Sequence, residues 1–515
     1  MAEVKVPIFK GTYEDNSGVA SSTLDKRIIN GFRDIFDFIH KRPAFTTVTL
    51  NTAGGTTYGT KDIYGAFMTQ NETSASLSNK IMIVAADSTT IYVYEGNLID
   101  ATGNGDIQLY IDTEDTYAKA SAEAFLKSGG PKYIEGTNAS NAACAFLNTN
   151  DVIYMYDYVL AAATTINPAE IPNAIIDHAF VNKRLLAIET FSDRVYYSAV
   201  GDPTDFSSGG GGGSFQAESQ ADQLRRIMAN GGDLNLFGPN SIDQYYSTGD
   251  ATTPFARYDG AEIKIGLAYA DALVDIDATY YFLGSDSGIY ALRGRDIKKI
   301  SAPIDKYLRS INNFNETMAN HIRIDGQDFV MFNFRDALDI DDPFTLDSTP
   351  PGVTFVYHIQ LDAWYIWSDT STIGAMTVVS STDSSIFGMS VMADFGAQVL
   401  QHPRLDTGYS SNKEDMIVTS GNISLDTNNR KSSKRLTGRL KGAVGPTIKF
   451  REGPDSDTAW ASSTSVAVTI TDASGELMKI MRLGQYRVRQ YQLHHTDDSA
   501  FSFGELTEEV TVLGS

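Results

Sequence analysis

Cysteine is almost absent from this chain: its 515 residues include one, Cys144. A single cysteine excludes an intrachain disulfide and a zinc site built from cysteines. The apolar neighbours of Cys144 predict a buried and unreactive thiol. No run approaches the ~18 to 20 apolar residues of a membrane helix, so we expect no membrane insertion. The N-terminus lacks a charged-then-apolar signal segment, which predicts synthesis in the cytoplasm without export through a cleaved signal.

Basic residues are also scarce, because 41 Lys and Arg oppose 64 Asp and Glu and leave a formal net charge of −23. Phosphate affinity needs clustered cations, so this balance excludes autonomous nucleic-acid binding by a basic surface. The charge is distributed unevenly. Residues 406–515 hold 13 basic and 14 acidic residues, which leaves a net charge of −22 on residues 1–405. This break in charge predicts a domain boundary near residue 405.

Short runs rich in Val, Ile, Tyr and Phe recur between Gly, Asp, Asn and Ser, as is typical of strands and tight turns. Residues 280–301 contain three such runs in succession, enough for most of a propeller blade. Similar units begin near residues 80, 150, 185, 233, 328 and 353. The pattern predicts a mainly β fold, a β-propeller with insertions plus a C-terminal domain like a β-sandwich. A large β-sandwich or two stacked sheets would give the same pattern and stays an alternative here.

Few helices are expected. Apolar residues spaced by three and four from Leu24 to Ile39 predict an amphipathic helix that packs against the fold or a neighbouring subunit. Shorter helices are predicted over residues 118–126 and from Pro303 to Ile311. The predicted domains are an N-terminal arm with the amphipathic helix (1–42), a propeller-like domain (43–405) and a C-terminal β domain (406–515). The five glycines 209–213 predict a flexible surface loop.

No pattern in the sequence predicts a catalytic, cofactor or metal site. The adjacent His494 and His495 would point to opposite faces of a strand and so cannot share a metal. The acidic stretch 336–347 lacks the glycine and terminal glutamate of a calcium loop and is interpreted as an exposed loop. A phosphate loop, a nucleophile elbow and a paired-histidine helix are absent. Residues 285–288 are predicted to form a turn.

Several short pieces between residues 215 and 253 carry a resemblance through their order. These pieces contain Gln216, Ala217, Glu218 and Ser219, then Phe237, Gly238, Ser241 and Tyr245, then Ser247, Thr248 and Gly249. In this order they resemble the middle of the packaged-DNA stabilisation proteins of short-tailed phages, the tail hub or nozzle subunits. The likeness extends to residues 182–206 upstream, to residues 264–310, and to residues 482–487 near the C-terminus.

The resemblance implies a structural virion protein of the phage tail, made in the host cytoplasm, without enzymatic activity or a cofactor. Such hubs form a six-fold ring of identical subunits below the adaptor that sits on the portal. They continue the DNA channel, hold a needle or plug that retains the genome, and seat tail fibres or spikes. We expect packaged double-stranded DNA to pass without specific binding, with part of the acidic surface facing the channel, because an acidic wall repels phosphate.

A ring of this kind requires two different surfaces of the chain to match each other. A basic run lies between residues 430 and 441 and is either a solvated hairpin face or a docking surface for an acidic neighbour, including a second copy. The candidate subunit contacts are Arg435, Arg439, Arg482 and Arg487.

Two alternative functions stay open from the sequence. A tail-associated polysaccharide depolymerase or glycoside hydrolase would need two carboxylates that converge on a sugar cleft. A carbohydrate-binding adhesion module is suggested by the 26 tyrosines and three tryptophans, most of which lie in strand patterns where they would pack. A turnover assay on polysaccharide and a glycan-binding assay separate these alternatives from the hub.

Overall fold

The computed structural model of the chain describes most of its length in segments. They are residues 3–7, 27–50, 62–68, 79–86, 90–100, 107–118, 132–149, 152–157, 162–217, 223–260, 262–309, 311, 314, 317–324, 326–334, 353–367, 378–384, 389–394, 399–404, 415–420, 423, 425, 429–452, 464–497, 499–504 and 506–513.

Nearly all regular structure in these segments is strand. The N-terminal strands are β1 (Glu3–Pro7), β2 (Arg27–Ile29), β3 (Gly31–Arg33), β4 (Ile39–Lys41) and β5 (Ala44–Thr47). The next strands are β6 (Thr49–Leu50), β7 (Asp62–Met68), β8 (Asn79–Ala86), β9 (Thr90–Asp100), β10 (Ile107–Ala118), β11 (Lys132–Thr137), β12 (Ala143–Thr149), β13 (Val152–Asp157), β14 (Ala162–Ile166), β15 (Ile175–Val181), β16 (Arg184–Glu189), β17 (Arg194–Tyr197), β18 (Gly213–Gln216), β19 (Arg226–Asn230), β20 (Asp233–Phe237), β21 (Ile242–Ser247), β22 (Phe255–Arg257), β23 (Leu273–Ile276), β24 (Thr279–Leu283), β25 (Ile289–Arg293) and β26 (Asp296–Lys299).

The helical residues and the remaining strands follow. A 3-10 turn (Ala302–Ile304) leads into α1 (Asp305–Leu308). The strands after it are β27 (Met318–Ile324), β28 (Gln327–Phe334), β29 (Val353–His358), β30 (Ala363–Trp367), β31 (Val378–Ser384), β32 (Met389–Asp394), β33 (Val399–Arg404), β34 (Met416–Thr419), β35 (Lys431–Gly442), β36 (Thr447–Glu452), β37 (Thr464–Ala467), β38 (Glu476–Tyr486), β39 (Arg489–His495), β40 (Phe501–Phe503) and β41 (Thr507–Val512).

Within the described segments, the middle of the chain forms seven blades, so the predicted β-propeller is confirmed. In chain order, the blades consist of β6–β10, β11–β14, β15–β18, β19–β22, β23–β26, β27–β30 and β31–β33 with β5. Successive blades touch through the first long strand of each, as β11 does with β15, β15 with β19, and β27 with β31. These first strands are therefore the innermost strands of their blades.

The propeller closes with a strand from the N-terminal segment. β5 pairs antiparallel with β33, with Ala44 opposite Arg404 and Thr47 opposite Gln401. The seventh blade is thus completed by residues that precede the first blade, and its innermost strand β31 packs against β7 of the first blade. Backbone hydrogen bonds between the two ends of the propeller hold the ring of blades closed.

The C-terminal strands form two facing sheets, together with strands from the N-terminal segment. One is a seven-stranded sheet in the order β1-β41-β35-β40-β4-β3, with β38 on the other side of β35. The second continues the sixth blade, because β2 pairs in parallel with β30 and then with β34, in the order β30-β2-β34-β39-β36-β37. Buried residues from both sheets, including Val418, Leu436 and Tyr491, share one core with Tyr365 and Trp367 of the sixth blade.

The amphipathic helix predicted from Leu24 to Ile39 is wrong over the described part of that segment, which forms β2, β3 and β4. Ile28, Phe32 and Ile39 are buried between two sheets, whereas Ile35 and Phe36 are exposed between β3 and β4. A turn at Asn30, with φ 52°, separates β2 from β3 and mimics helical spacing by bringing Ile28 and Phe32 into the same core. Gly31 is required there, since a Cβ would lie 2.9 Å from the carbonyl oxygen of His40.

The other helix predictions have different outcomes. The helix expected after Pro303 is present as the 3-10 turn and the single-turn helix α1. Of the one expected over residues 118–126, residue 118 ends β10 and the rest lies outside the described residues, as does the acidic stretch 336–347. The division at residues 42 and 405 stays a prediction, although strands from both outer segments share sheets. No helix in the described segments is long and apolar enough to cross a membrane.

Candidate functional site

The residues that carry the phage resemblance lie at the seams between the third, fourth and fifth blades. Gln216 ends β18, and its carbonyl accepts a hydrogen bond from the Tyr245 hydroxyl of the fourth blade at 3.1 Å. The amide of Ala217, which follows, donates to the carbonyl of Asp193 at 2.9 Å. Ala217 and Tyr245 are buried. Glu218 and Ser219 lie outside the described residues.

Phe237 connects the fourth blade to the fifth. Its ring packs edge-to-face against Tyr280 and Phe282, with centroid distances of 5.9 and 5.6 Å. Gly238 and Ser241 form the turn that follows, in which the Gly238 amide donates to the Ser241 carbonyl at 2.9 Å. These family residues therefore pack blades together and expose little side chain to a partner.

Ser247 ends β21, and Thr248 and Gly249 begin the loop between β21 and β22. The Ser247 amide donates to the carbonyl of Gly232 at 2.9 Å, and Thr248 Oγ1 donates to the carbonyl of Thr253 at 2.5 Å. Gly249 has a φ of +75°, which favours glycine. The exposed loop is thus fixed by its own hydrogen bonds.

Arg184, which the sequence did not single out, ties this loop to its neighbour. Its guanidinium is buried and donates to the carbonyls of Ser198 and Gly211 at 2.5 and 2.8 Å, and to that of Ala251 at 3.5 Å. The Tyr197 ring lies 5.2 Å from it. A charged residue at the start of the apolar strand β16 was the available signal. Arg184 thereby holds the loops after β17 and β21 together on one face of the propeller.

The glycine run 209–213 lies in a loop between β17 and β18 whose residues 209–211 are exposed, as its composition predicted for a surface loop. The Gly212 amide donates to the Ser207 carbonyl at 2.8 Å, and Gly213 begins β18. A Cβ on Gly212 would lie 2.5 Å from the backbone of Phe206. Close approach of the backbone therefore requires glycine at position 212.

A chain of largely buried ion pairs joins the innermost strands of four consecutive blades. Lys132 on β11 lies 3.1 Å from Asp177 on β15, and Asp177 lies 3.2 Å from Arg226 on β19. Arg226 continues to Asp271, just before β23, at 2.6 Å. Asp177 also accepts a hydrogen bond from the Ile227 amide at 2.8 Å. We call these four side chains the axial ion chain.

Burial and charge act against each other along the axial ion chain. Burial lowers the pKa of Lys132, although Asp177 opposes that shift. Burial alone would raise the pKa of Asp177, but Lys132 and Arg226 together hold it below its ordinary value. Burial, followed by the charge of Lys132, lowers the pKa of the neighbouring His178 to about 4, so that ring is neutral near pH 7. Single charges within apolar strands were the sequence signal for this arrangement.

The four candidate subunit contacts all lie in the C-terminal strands or the turn that follows β38. Arg435 and Arg439 lie on β35, and Arg482 lies on the adjacent strand β38 with a φ of +60°. Arg435 is half-buried and pairs with Glu509 at 2.5 Å, whereas the side chains of Arg439 and Arg482 are exposed. Arg487 is exposed after β38, and its carbonyl accepts a hydrogen bond from Lys431 at 2.7 Å.

The single cysteine, the adjacent histidines and the turn at residues 285–288 all have surroundings typical of structural residues. Burial raises the pKa of the Cys144 thiol to about 12, as expected for an unreactive thiol. His494 contacts Asp415 at 2.8 Å, whereas His495 stacks on Phe501. Residues 285–288 form the predicted turn, in which Asp286 accepts from the Gly288 amide at 3.0 Å. No group of three or more His, Cys, Asp or Glu that could hold a metal occurs in the described part of the chain.

This chain contains a β-propeller of seven blades, which pack closely against one another and are closed by the strand β5. The polar clusters among its described residues stabilise the fold. Residues 135–338 match the family model described as Phage_stabilise: Bacteriophage P22 Gp10, beta-propeller. This segment contains the whole motif region between residues 215 and 253, so the resemblance found in the sequence to the phage packaged-DNA stabilisation proteins is confirmed. The family is one of phage structural proteins.

Solved structures similar to this chain are distant propellers and related folds. A catalytically inactive virginiamycin B lyase from Staphylococcus aureus, with quinupristin, is 11% identical with a TM-score of 0.40, covering 67% of this chain and 96% of that one. The WD40 beta propeller domain of Doa1 is 8% identical with a TM-score of 0.37, covering 71% and 97%. No curated protein matches the chain. These distant likenesses carry no conclusion about activity.

Proposed function

We propose that the chain is a tail hub or nozzle subunit of a short-tailed phage. In this proposal, six copies form a ring below the portal adaptor, continue the DNA channel and retain the packaged genome. The ring also binds a needle or plug and seats the tail fibres or spikes. The match of residues 135–338 to the phage stabilisation propeller is the observation that carries the proposal.

The geometry of the propeller supports a channel that is built between copies of the chain. Innermost strands of successive blades touch one another, and the axial ion chain joins four blades. We infer that the DNA channel is built between copies of the chain rather than within one propeller. The net charge of −22 on residues 1–405 suits a wall along which DNA slides, because like charges repel at short range.

The proposed role also suits the way in which the blades are joined. A subunit that bears the pressure of a packaged genome must keep its shape, and the strand β5 closes the propeller through backbone hydrogen bonds. The loops near the family residues are held by Arg184 and by their own hydrogen bonds. These features suit a rigid building block.

A nonsense mutation in the gene for this chain tests the proposal. In a nonsuppressing host, we expect heads that package DNA but then release it. The packaged DNA should therefore no longer be protected from nuclease. The matched control is the same mutant in a suppressor host, where protection returns. Mutant particles that keep protected DNA and a complete tail would contradict the proposal, and polysaccharide turnover by the purified chain would favour the depolymerase.

A further inference from the structure

The outer face of β35 and β38 combines cations with exposed apolar side chains. In register across the two strands, Arg439 lies opposite Leu477, Thr437 opposite Lys479, and Arg435 opposite Met481. We call these six residues the β35–β38 face. The alternate residues of the same strands, such as Leu436, Leu440 and Met478, point inward. They are buried in the core between the two facing C-terminal sheets, which we call the sandwich.

Leu477 and Met481 are unusual among the large apolar side chains of the sandwich. Their side chains are 64% and 56% exposed, while the core residues between them are covered. Leu477 lies two residues before Lys479 and Met481 two residues after it, so all three side chains share one face of the strand. A protein-binding surface commonly places apolar anchors among a polar rim, and this face has that composition.

The open edge of β38 is less suited to binding than this face. β38 pairs with β35 alone among the described strands, so none of these strands occupies its other edge. Positive φ angles at Arg482 and Gly484 accompany a register shift opposite Ser433 and Arg435. A bulge and charged residues on an edge strand hinder the addition of a further strand. A partner therefore meets the side chains of the face rather than the backbone of the edge.

We infer that the β35–β38 face docks on the propeller of a second copy of this chain, as one of the contacts of the proposed ring. Charge complementarity identifies the occupant, because residues 1–405 carry a net charge of −22 and the face presents Arg439 and Lys479. The contact joins two different surfaces, as a ring requires. Two apolar anchors at the centre favour a protein over DNA, whose binding surfaces are polar and strongly basic.

Site-specific photo-crosslinking in assembled particles tests this inference. A photoreactive amino acid replaces the exposed Leu477 in the full chain, which is supplied in trans to the nonsense mutant. After irradiation of purified particles, we expect a covalent dimer of the chain on a denaturing gel. Mass spectrometry of that dimer should join residue 477 to a peptide within residues 43–405. A dimer joined sandwich to sandwich, an adduct with another protein or with DNA, or no adduct would overturn the inference.

A double variant tests the same contact without a crosslinker. Lys479→Glu with Met481→Glu places two carboxylates on exposed positions, so the fold should be preserved, as a circular dichroism spectrum and melting temperature would show. We expect incorporation into particles to fall at least tenfold, whereas Lys264→Glu, at an exposed lysine of the propeller, leaves it unchanged. Equal incorporation of the two variants would overturn the inference.

The inference rests on the proposed ring, and the two fail differently. If the wild-type chain is missing from particles, the proposed function itself fails. If the chain is present but residue 477 crosslinks elsewhere, the hub proposal stands and the β35–β38 face is not the subunit contact.

Discussion

Asp177 of the third blade and Arg226 of the fourth lie 3.2 Å apart on neighbouring innermost strands, and both are buried. Each of the two charges is paired with a side chain of a neighbouring blade. Lys132 of the second blade completes the arrangement at 3.1 Å from Asp177. A blade that separated from its neighbours would leave buried charges without partners, so the axial ion chain makes the blades depend on one another.

Asp177→Asn should therefore destabilise the propeller strongly. The substitution keeps the shape of the side chain but leaves Lys132 buried without its anionic partner, at an expected cost of about 3–5 kcal/mol. Urea unfolding followed by fluorescence measures the change. Asp296→Asn, at the exposed first residue of β26, is the matched control and should change the stability by less than about 0.5 kcal/mol. Equal effects of the two substitutions would show that the ion chain contributes nothing.

Arg184→Ala should loosen the two loops that Arg184 joins. Hydrogen bonds from a charged donor contribute about 1.5–3 kcal/mol each, so amide exchange should rise roughly tenfold or more in residues 207–212 and 250–253. Hydrogen-exchange mass spectrometry measures these loops directly. Arg194→Ala removes an exposed guanidinium that donates to Ser214, and should leave the loops unchanged. Unchanged exchange in the Arg184 variant would contradict the assigned role.

Gly31→Ala should weaken the junction between the sixth blade and the sandwich. The new methyl group would lie 2.9 Å from the His40 carbonyl oxygen and 3.1 Å from Met416, and such overpacking costs about 1–3 kcal/mol. Differential scanning calorimetry should show a lower melting temperature. Gly209→Ala is the control, because its Cβ would meet nothing within 4 Å. A melting temperature equal to that of the control would contradict the packing described at Gly31.

His358→Phe should reduce the loss of stability on acidification. Burial lowers the pKa of His358 to about 4, and neither ring nitrogen has a hydrogen-bond partner among the described residues. Below pH 6.5 the unfolded state binds a proton that the native state excludes. The wild type therefore loses about 1.4 kcal/mol per pH unit through this group between pH 6.5 and 4. The difference between the urea midpoints at pH 7 and pH 5 should be smaller in the variant than in the wild type, and an unchanged difference would contradict the neutral buried ring.

The sequence predicted the elements whose signals are local. The runs at residues 280–301 are three strands of the fifth blade, and Pro303 begins a short helical turn. The N-terminal helix failed because Ile28, Phe32 and Ile39 can share a core through a turn at Asn30 as well as through helical spacing. The family residues were found by their order, but their role as blade seams depends on neighbours that no local pattern specifies.

The pairing of strands that are far apart in the chain could not be predicted from local sequence patterns. β5 meets β33 across more than 350 residues, and β2 joins β30 to β34 by the same kind of contact. Strand pairing of this kind depends on which edges remain open after the blades have formed. The partners of Asp177 and Arg184 likewise come from other blades or distant loops, so only their charge within apolar strands was visible in the sequence.

The central claim is that this chain is a structural part of the phage tail, and its location in the particle tests that claim most directly. Particles from infected cells can be imaged by electron microscopy after labelling with a gold-conjugated antibody raised against the chain. The proposal predicts label confined to the tail vertex of DNA-filled heads. Unlabelled particles, with the protein free in the lysate, would contradict it.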